Sequence, residues 1–226
     1  MKRTGEKLIQ TALVALSLAV ATQGQAEILE RFEGRHYWQI APWGDEASTG
    51  VSKEQASDGE KALEIHFAAK MANRGKGIVL ERDLSSLGRD FNRLTIDVYN
   101  EGPAKISVAL SVETDEYYES VALPLEKGWN KDLSFSLQTK TYKAKTSNWK
   151  YETNVNLSGQ PKKMSLIFYR EGATEGTFFV DHMRIDQDTG AAVLETPAGA
   201  PGTIIERSKK HHYRPKGLPI EIFIRS

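Results

Sequence analysis

The sequence predicts an all-β protein, an antiparallel β-sandwich, and three observations carry that prediction. Apolar residues recur at every second position, turn residues separate these runs, and the 3.6-residue repeat of an amphipathic helix is scarce. Eight or so short alternating strands in about 160 residues read as two sheets packed face to face.

The chain opens on a different pattern. "MKRTGEKLIQTALVALSLAVATQGQA" has a basic start, an apolar run from Leu8 to Ala21 and small residues at Gly24 and Ala26. The apolar run is short for a bilayer, so residues 1–26 are expected to be a secretory signal peptide cut after Ala26, with a membrane anchor as the alternative. Lys and Arg number 30 against 30 Asp and Glu, and the segment after Ala26 keeps 27 against 29. No field of one sign is available to recruit nucleic acid or an anionic membrane. The chain has no cysteine, which excludes thiol catalysis and Cys-rich zinc sites. A secreted chain without disulfides suggests a bacterial periplasm or exterior.

The strands can be taken in order from "EILERFEGRHYW". "ALEIHF" sets Leu63, Ile65 and Phe67 against Glu64 and His66, and "LTIDVYN" sets Leu94, Ile96 and Val98 against Thr95, Asp97 and Tyr99. "KISVALSV" repeats the pattern from Ile106 to Val112. "YYESVAL", "WNKDLSFSL", "KMSLIFYR" and "GTFFVDHMRI" complete the set. Turn signals stand between them at Asp58-Gly59, Asn100-Glu101-Gly102-Pro103, Lys127-Gly128 and Glu171-Gly172. The sandwich is therefore expected over residues 27–187. Residues 188–226 read as a linker rich in small residues and Pro, then a tail with a basic patch, "RSKKHHYRPK", and a possible extra edge strand from Leu218 to Ile224. His211 and His212 there are a weak transition-metal candidate, and a disordered tail is the alternative.

"GTFFVDHMRID" poses the sharpest question. Strict alternation places Asp181 on one face with Phe179, Met183 and Ile185, where a carboxylate needs a cation, N–H donors or a metal. A sandwich often brings its first and last strands together, which would place Glu33 nearby, and the turn at Ser57, Asp58 and Gly59 offers backbone oxygens. Hard oxygen ligands of this kind suit Ca²⁺. An ion pair with Arg or Lys, or a carboxylate held by backbone N–H groups, would explain Asp181 equally.

"RFEG", "ASDGEKALEIHF", "DLSSLGRDFNRLTIDVYNEGP", "LEKGWNKDLSFSL" and "GTFFVDHMRID" occur in an order that resembles the jelly-roll carbohydrate-binding modules of the galactose-binding-domain-like superfamily. The resemblance covers Glu27 to about Asp186. It implies a jelly roll, a glycan or polysaccharide ligand and a structural Ca²⁺. Glu33 and Asp181 would be its side-chain ligands, with Ser57 or Lys61 supplying a carbonyl oxygen.

No GxSxG, HExxH, GxxxxGKS or GxGxxG motif is present, and no residue is singled out as catalytic. A glycosidase needs two carboxylates at a set separation, and Asp97, Glu113, Asp115 and Glu119, expected on solvated faces, offer no such pair. Sugar binding needs less: aromatic rings for the C–H faces of pyranoses, with polar groups around them. Candidates are Tyr99, Tyr117, Tyr169 with Arg170, and Trp149 and Tyr151 in the long connection from Gln138 to Gly159, whose aromatics, Tyr142 included, have no apolar stripe to join. Trp38 and Trp129 sit in strand patterns and are expected in the core. The function expected is that of a secreted, non-catalytic glycan-binding protein. A sandwich that docks another protein through its tail and a small glycan-active lyase or hydrolase are the alternatives.

Overall fold

Residues that alternate between apolar and polar can bury one face of a strand and leave the other to solvent or to a site. The computed structural model describes residues 26–67, 77–87, 90–102, 105–172 and 175–187, and their regular elements are all strands. They are β1 (Glu27–Glu30), β2 (Gln39–Ile40), β3 (Ser48–Ser52), β4 (Ala62–Phe67), β5 (Ile78–Asp83), β6 (Arg93–Asn100) and β7 (Lys105–Glu113). Then follow β8 (Tyr117–Ser120), β9 (Leu123–Leu125), β10 (Gly128–Ser136), β11 (Tyr142–Lys143), β12 (Lys163–Glu171) and β13 (Gly176–Asp186). All of the expected leader except its last residue, Ala26, and the tail with its expected Leu218–Ile224 strand and His211–His212, lie outside the described residues. Among the described residues no helix is long and apolar enough to cross a membrane.

Two antiparallel sheets form the sandwich. Sheet A runs β10-β6-β13-β4-β3, with β1 pairing the C-terminal half of β13; sheet B runs β11-β8-β7-β12-β5-β2, with β9 pairing β7. Their inner faces supply the core: Leu63, Ile65, Leu94, Ile96, Val98 and Val180 from sheet A, and Ile78, Leu80, Val108, Leu110, Val112, Met164 and Leu166 from sheet B. Phe168 and Phe178 meet across the layers at 4.3 Å between ring centroids. Each such fully buried side chain contributes about 1.5–3 kcal/mol relative to exposure.

The alternation expected along β13 breaks at one point. Phe178 and Val180 face the core, and so do Met183 and Ile185, because a bulge between Asp181 and Arg184 inserts a residue. His182 takes φ 45° to make that bulge. Since one extra residue reverses the facing of everything beyond it, Phe179 and Asp181 lie on the outer side of sheet A, opposite to Met183 and Ile185. Asp181 is nonetheless fully buried, because the partner of β13 changes there from β4 to β1 and the turn at residues 57–61 covers it. β10 carries a matching bulge between Asn130 and Leu133.

Trp38 is in the core as expected, whereas Trp129 lies half-buried on the outer face of sheet A against Tyr99. Tyr142, expected to be exposed, is buried: β11 pairs β8 and carries it into the core, giving the long connection the apolar partner its own sequence lacks. Asp97 and Glu119 are likewise buried, against the expectation of solvated faces.

Candidate functional site

Cross-strand partners share a face of a sheet, so strand register alone lays out the outer face of sheet B. One rung runs across six strands: Gln39 on β2 opposes Glu81, Glu81 opposes Ser165, Ser165 opposes Ser111, Ser111 opposes Glu119, and Glu119 opposes Lys143 on β11. Five strand spacings make this polar strip about 24 Å long, with the two glutamates about 14 Å apart at the backbone. On one side lies the charged rung Asp83, Lys163, Glu113 and Tyr117. On the other lies an apolar rung of Val79, Ile167 and Ala109, joined by Ala41.

The strip is held by its own partners. Glu119, buried to 4 % exposure, accepts hydrogen bonds from the Tyr169 hydroxyl at 2.7 Å and the Tyr117 hydroxyl at 3.2 Å, and pairs with Lys143 at 2.7 Å. Glu81 accepts from Trp43 Nε1 at 3.3 Å and lies 3.6 Å from Lys163 Nζ. Trp43 and Tyr169 pack on the apolar rung. Burial, reinforced by the Glu119 charge, pushes the Tyr169 hydroxyl far above its ordinary pKa and keeps it a donor. Burial pulls Lys143 down, but Glu119 and then Tyr151 outweigh it and leave it raised and charged.

Aromatic rings gather at the β8–β11 end. Tyr151 takes the Lys143 ammonium over its ring at 5.2 Å, and Tyr117 and Trp149 lie 6.4 Å apart. Trp149 and Tyr151 are 39 % and 46 % exposed, unusual for such large rings. The backbone aims Trp149 deliberately: Asn148 and Trp149 both take positive φ, at 53° and 61°, an uncommon conformation for non-glycine residues. Ser147 Oγ closes the turn on the Lys150 carbonyl at 2.7 Å, and Glu116, beside Tyr117, accepts from Thr146 N at 2.8 Å.

Four of the six expected ligand residues, Tyr117, Trp149, Tyr151 and Tyr169, therefore share this face. Tyr99 does not: it stands on the outer face of sheet A between Phe179 at 6.0 Å and Trp129 at 5.4 Å. Arg170 does not either, because it follows Tyr169 on β12 and points to the other side, buried over Phe67 at 5.0 Å and paired with Asp45 at 3.3 Å. Gln39, Trp43, Glu81, Ser111, Lys143 and Ser165 were not expected. A signal existed for one of them, since Ser165 is a polar residue within the apolar run Met164–Phe168.

The residues expected to hold Ca²⁺ do come together. Asp181 Oδ2 accepts from Ser57 N at 2.7 Å, Ser57 Oγ at 3.1 Å and Asp58 N at 3.0 Å, while Oδ1 accepts from His182 N at 2.7 Å. Glu33 Oε1 accepts from Glu60 N at 2.6 Å and Lys61 N at 3.0 Å, and Lys61 Nζ donates to the Glu33 carbonyl at 3.1 Å. A calcium site needs oxygens converging on a point, and Ser57 and Lys61 meet the carboxylates through N–H groups instead of the expected carbonyls. Gly59, at φ 74°, makes the turn possible, and a Cβ there would strike Glu33 Oε1. This donor set fits two carboxylates held by one turn and does not fit a calcium ion. Its two acids titrate in opposite senses: the backbone donors of Lys61 and Glu60 hold Glu33 below the ordinary value, whereas burial outweighs the donors of Asp181 and raises it.

No protein-family model and no curated protein matches the chain. Solved structures do. The family 11 carbohydrate-binding module of the cellulosomal cellulase Lic26A-Cel5E of Clostridium thermocellum shares 12 % identity and a TM-score of 0.48, over 73 % of this chain and 95 % of that one. The CBM22-1 xylan-binding domain of Paenibacillus barcinonensis Xyn10C shares 16 % identity and a TM-score of 0.44, over 71 % and 94 %. CBM28, a module specific for non-crystalline cellulose, shares 17 % identity and a TM-score of 0.47, over 73 % and 97 %. At these identities and scores the likeness is one of chain path, and it carries no argument about what this chain binds.

Proposed function

We propose that this chain is a secreted, non-catalytic glycan-binding protein and that the outer face of sheet B is its binding face. The observation that carries the reading is the rung from Gln39 to Lys143, a polar strip with small serines at its centre and exposed rings at one end. A pyranose chain presents apolar C–H faces and hydroxyls that both donate and accept. Trp149 and Tyr151 offer the rings. Gln39 offers an acceptor, and Lys143, Lys163 and Gln39 offer donors. Glu81 and Glu119 are buried beneath them and hold Lys163, Trp43, Lys143, Tyr117 and Tyr169 in place. The basic and apolar N-terminal segment supports secretion.

The test is affinity electrophoresis and calorimetry of the protein against a panel of soluble polysaccharides, with the released sugars analysed in parallel. Binding to at least one polysaccharide is expected, with no cleavage. Trp149→Ala and Tyr151→Ala should each weaken it by about two- to tenfold, the loss of one stacking ring at about 0.5–1.5 kcal/mol, without lowering Tm. Binding that ignores both substitutions would move the site elsewhere, and sugar release would make the chain an enzyme.

A further inference from the structure

Trp149 is held in a backbone conformation that its own side chain does not favour. It takes φ 61°, directly after Asn148 at φ 53°. Asn visits this left-handed region readily, but for a bulky side chain it is strained. Burial does not offset the strain, because the ring stays 39 % exposed. Strain that persists at an exposed side chain is imposed by its surroundings, and such outliers gather where ligands are clamped.

Two sets of contacts impose it. The first lies inside the turn. Ser147, itself buried, accepts from Ala144 N at 3.0 Å and donates to the Lys150 carbonyl at 2.7 Å, while Trp149 N donates to the Ala144 carbonyl at 2.9 Å. The second comes from outside. Glu116, in the turn between β7 and β8, grips Thr146 with both carboxylate oxygens: Oε1 accepts from Thr146 N at 2.8 Å and Oε2 from Thr146 Oγ1 at 2.9 Å. The residue after Glu116 is Tyr117, whose ring lies 6.4 Å from that of Trp149. One carboxylate therefore sets the spacing of two rings that come from separate parts of the chain.

We propose that Glu116 is a positioning residue of the binding face, acting on the glycan only through Trp149, which it fixes against Tyr117. This rests on the reading of the outer face of sheet B as a glycan site and names what keeps one end of that site ready. A ring already fixed in its bound position loses little freedom when a sugar stacks on it, so affinity depends on the tie. Gln at this position would keep the tie, since its oxygen can accept from Thr146 N and its amide can donate to Thr146 Oγ1. Ala would break it.

The four tryptophans can be followed separately by fluorine NMR of the full chain labelled with fluorotryptophan, with Trp149→Phe assigning the signal. In Glu116→Ala and in Thr146→Val the Trp149 signal should broaden or split while those of Trp38 and Trp129 stay in place, and Glu116→Gln should keep the native spectrum. Burial, and then the Glu116 charge, hold the Tyr118 hydroxyl above its ordinary pKa, so Glu116→Ala can also loosen the core. Thr146→Val cuts the tie at its other end and leaves Tyr118 alone. Affinity is read on the polysaccharide panel, with hydroxyethyl cellulose, soluble xylan and galactomannan in it. Glu116→Ala should weaken binding about threefold or more, the cost of a ring no longer fixed in advance. Glu116→Ala combined with Trp149→Ala should bind no more weakly than Trp149→Ala alone, because the first acts through the second. Losses that add would overturn the proposal by making Glu116 a contact of the sugar itself. A Trp149 signal unchanged in both Glu116→Ala and Thr146→Val would overturn it outright. A native chain that binds nothing on the panel would overturn the glycan reading, and the fluorine spectra would still decide whether Glu116 holds the ring.

Discussion

Asp181 and Asp97 stand directly opposite each other on β13 and β6, both buried. Like charges in that position repel, and the fold separates them by giving each its own donors. Asp181 takes the N–H groups of the Ser57–Asp58 turn and of His182. Asp97 takes Asp132 N at 2.9 Å and Arg184 at 3.4 Å. The bulges of β13 and β10 flank this pair, so Asp97 ties both of these irregular strands to β6.

If N–H groups hold Asp181, replacing it with Asn should destabilise the protein, because one acceptor oxygen becomes a donor facing other donors. Hydrogen bonds to a charged group are worth about 1.5–3 kcal/mol, and a domain of this size loses about 2–4 °C per kcal/mol. Asp181→Asn should therefore melt several degrees lower. Chelator should leave the melting of the native protein unchanged. A native protein that loses Tm on metal removal would show that a cation belongs in this turn.

The same turn should show two carboxyls shifted in opposite directions. Carbon-detected NMR should find Glu33 titrating below its ordinary 4.5 and Asp181 above its ordinary 3.8. The consequences differ in sign. Glu33 is lowered, so its contribution to stability is present above the unfolded value and is lost as pH falls through the folded one. Asp181 is raised, so its contribution is complete below the unfolded value and declines as pH rises through the folded one. Glu33→Gln should accordingly cost less at pH 3 than at pH 7. Shifts of the same sign would mean that the turn does not hold the two acids as described.

Glu119 is the anchor of the proposed binding face, because Tyr169, Tyr117 and Lys143 all converge on it. Glu119→Gln keeps the shape but leaves Lys143 half-buried without its counter-charge. A loss of about 2 kcal/mol is expected from the weakened charged hydrogen bonds, together with weaker glycan binding. Thermal melting and glycan titration of the variant check both losses. A variant that keeps both Tm and affinity would show that Glu119 does not hold Tyr169, Tyr117 and Lys143 in place.

Much of this protein was readable from residues alone. Alternation at Leu63–Phe67, Leu94–Val98 and Ile106–Val112 fixed which side chains enter the core, because a strand's period of two is a local property that neighbours do not alter. Turn residues such as Asp58-Gly59 marked the connections for the same reason. Trp149 and Tyr151 were visible as candidates because they stand among polar residues, and they do stay exposed.

Register and bulges belong to the tertiary structure, since they depend on which strand lies alongside. Nothing local in "FFVDHMRI" shows that a residue is inserted after Asp181, so strict alternation put Asp181 on the wrong face, and its burial comes from the change of partner from β4 to β1 and the turn at residues 57–61 that covers it. The polar strip of sheet B is nonlocal in the same way. Gln39, Glu81, Ser165, Ser111, Glu119 and Lys143 come from six strands and form one strip only when all five registers are set. Arg170 and Tyr169 lie on opposite faces by their own strand's period of two, whereas Glu81 and Glu119 are remote in sequence and come to share a face. Backbone hydrogen bonding between strands decided that, and a single strand's sequence does not specify its partner's register.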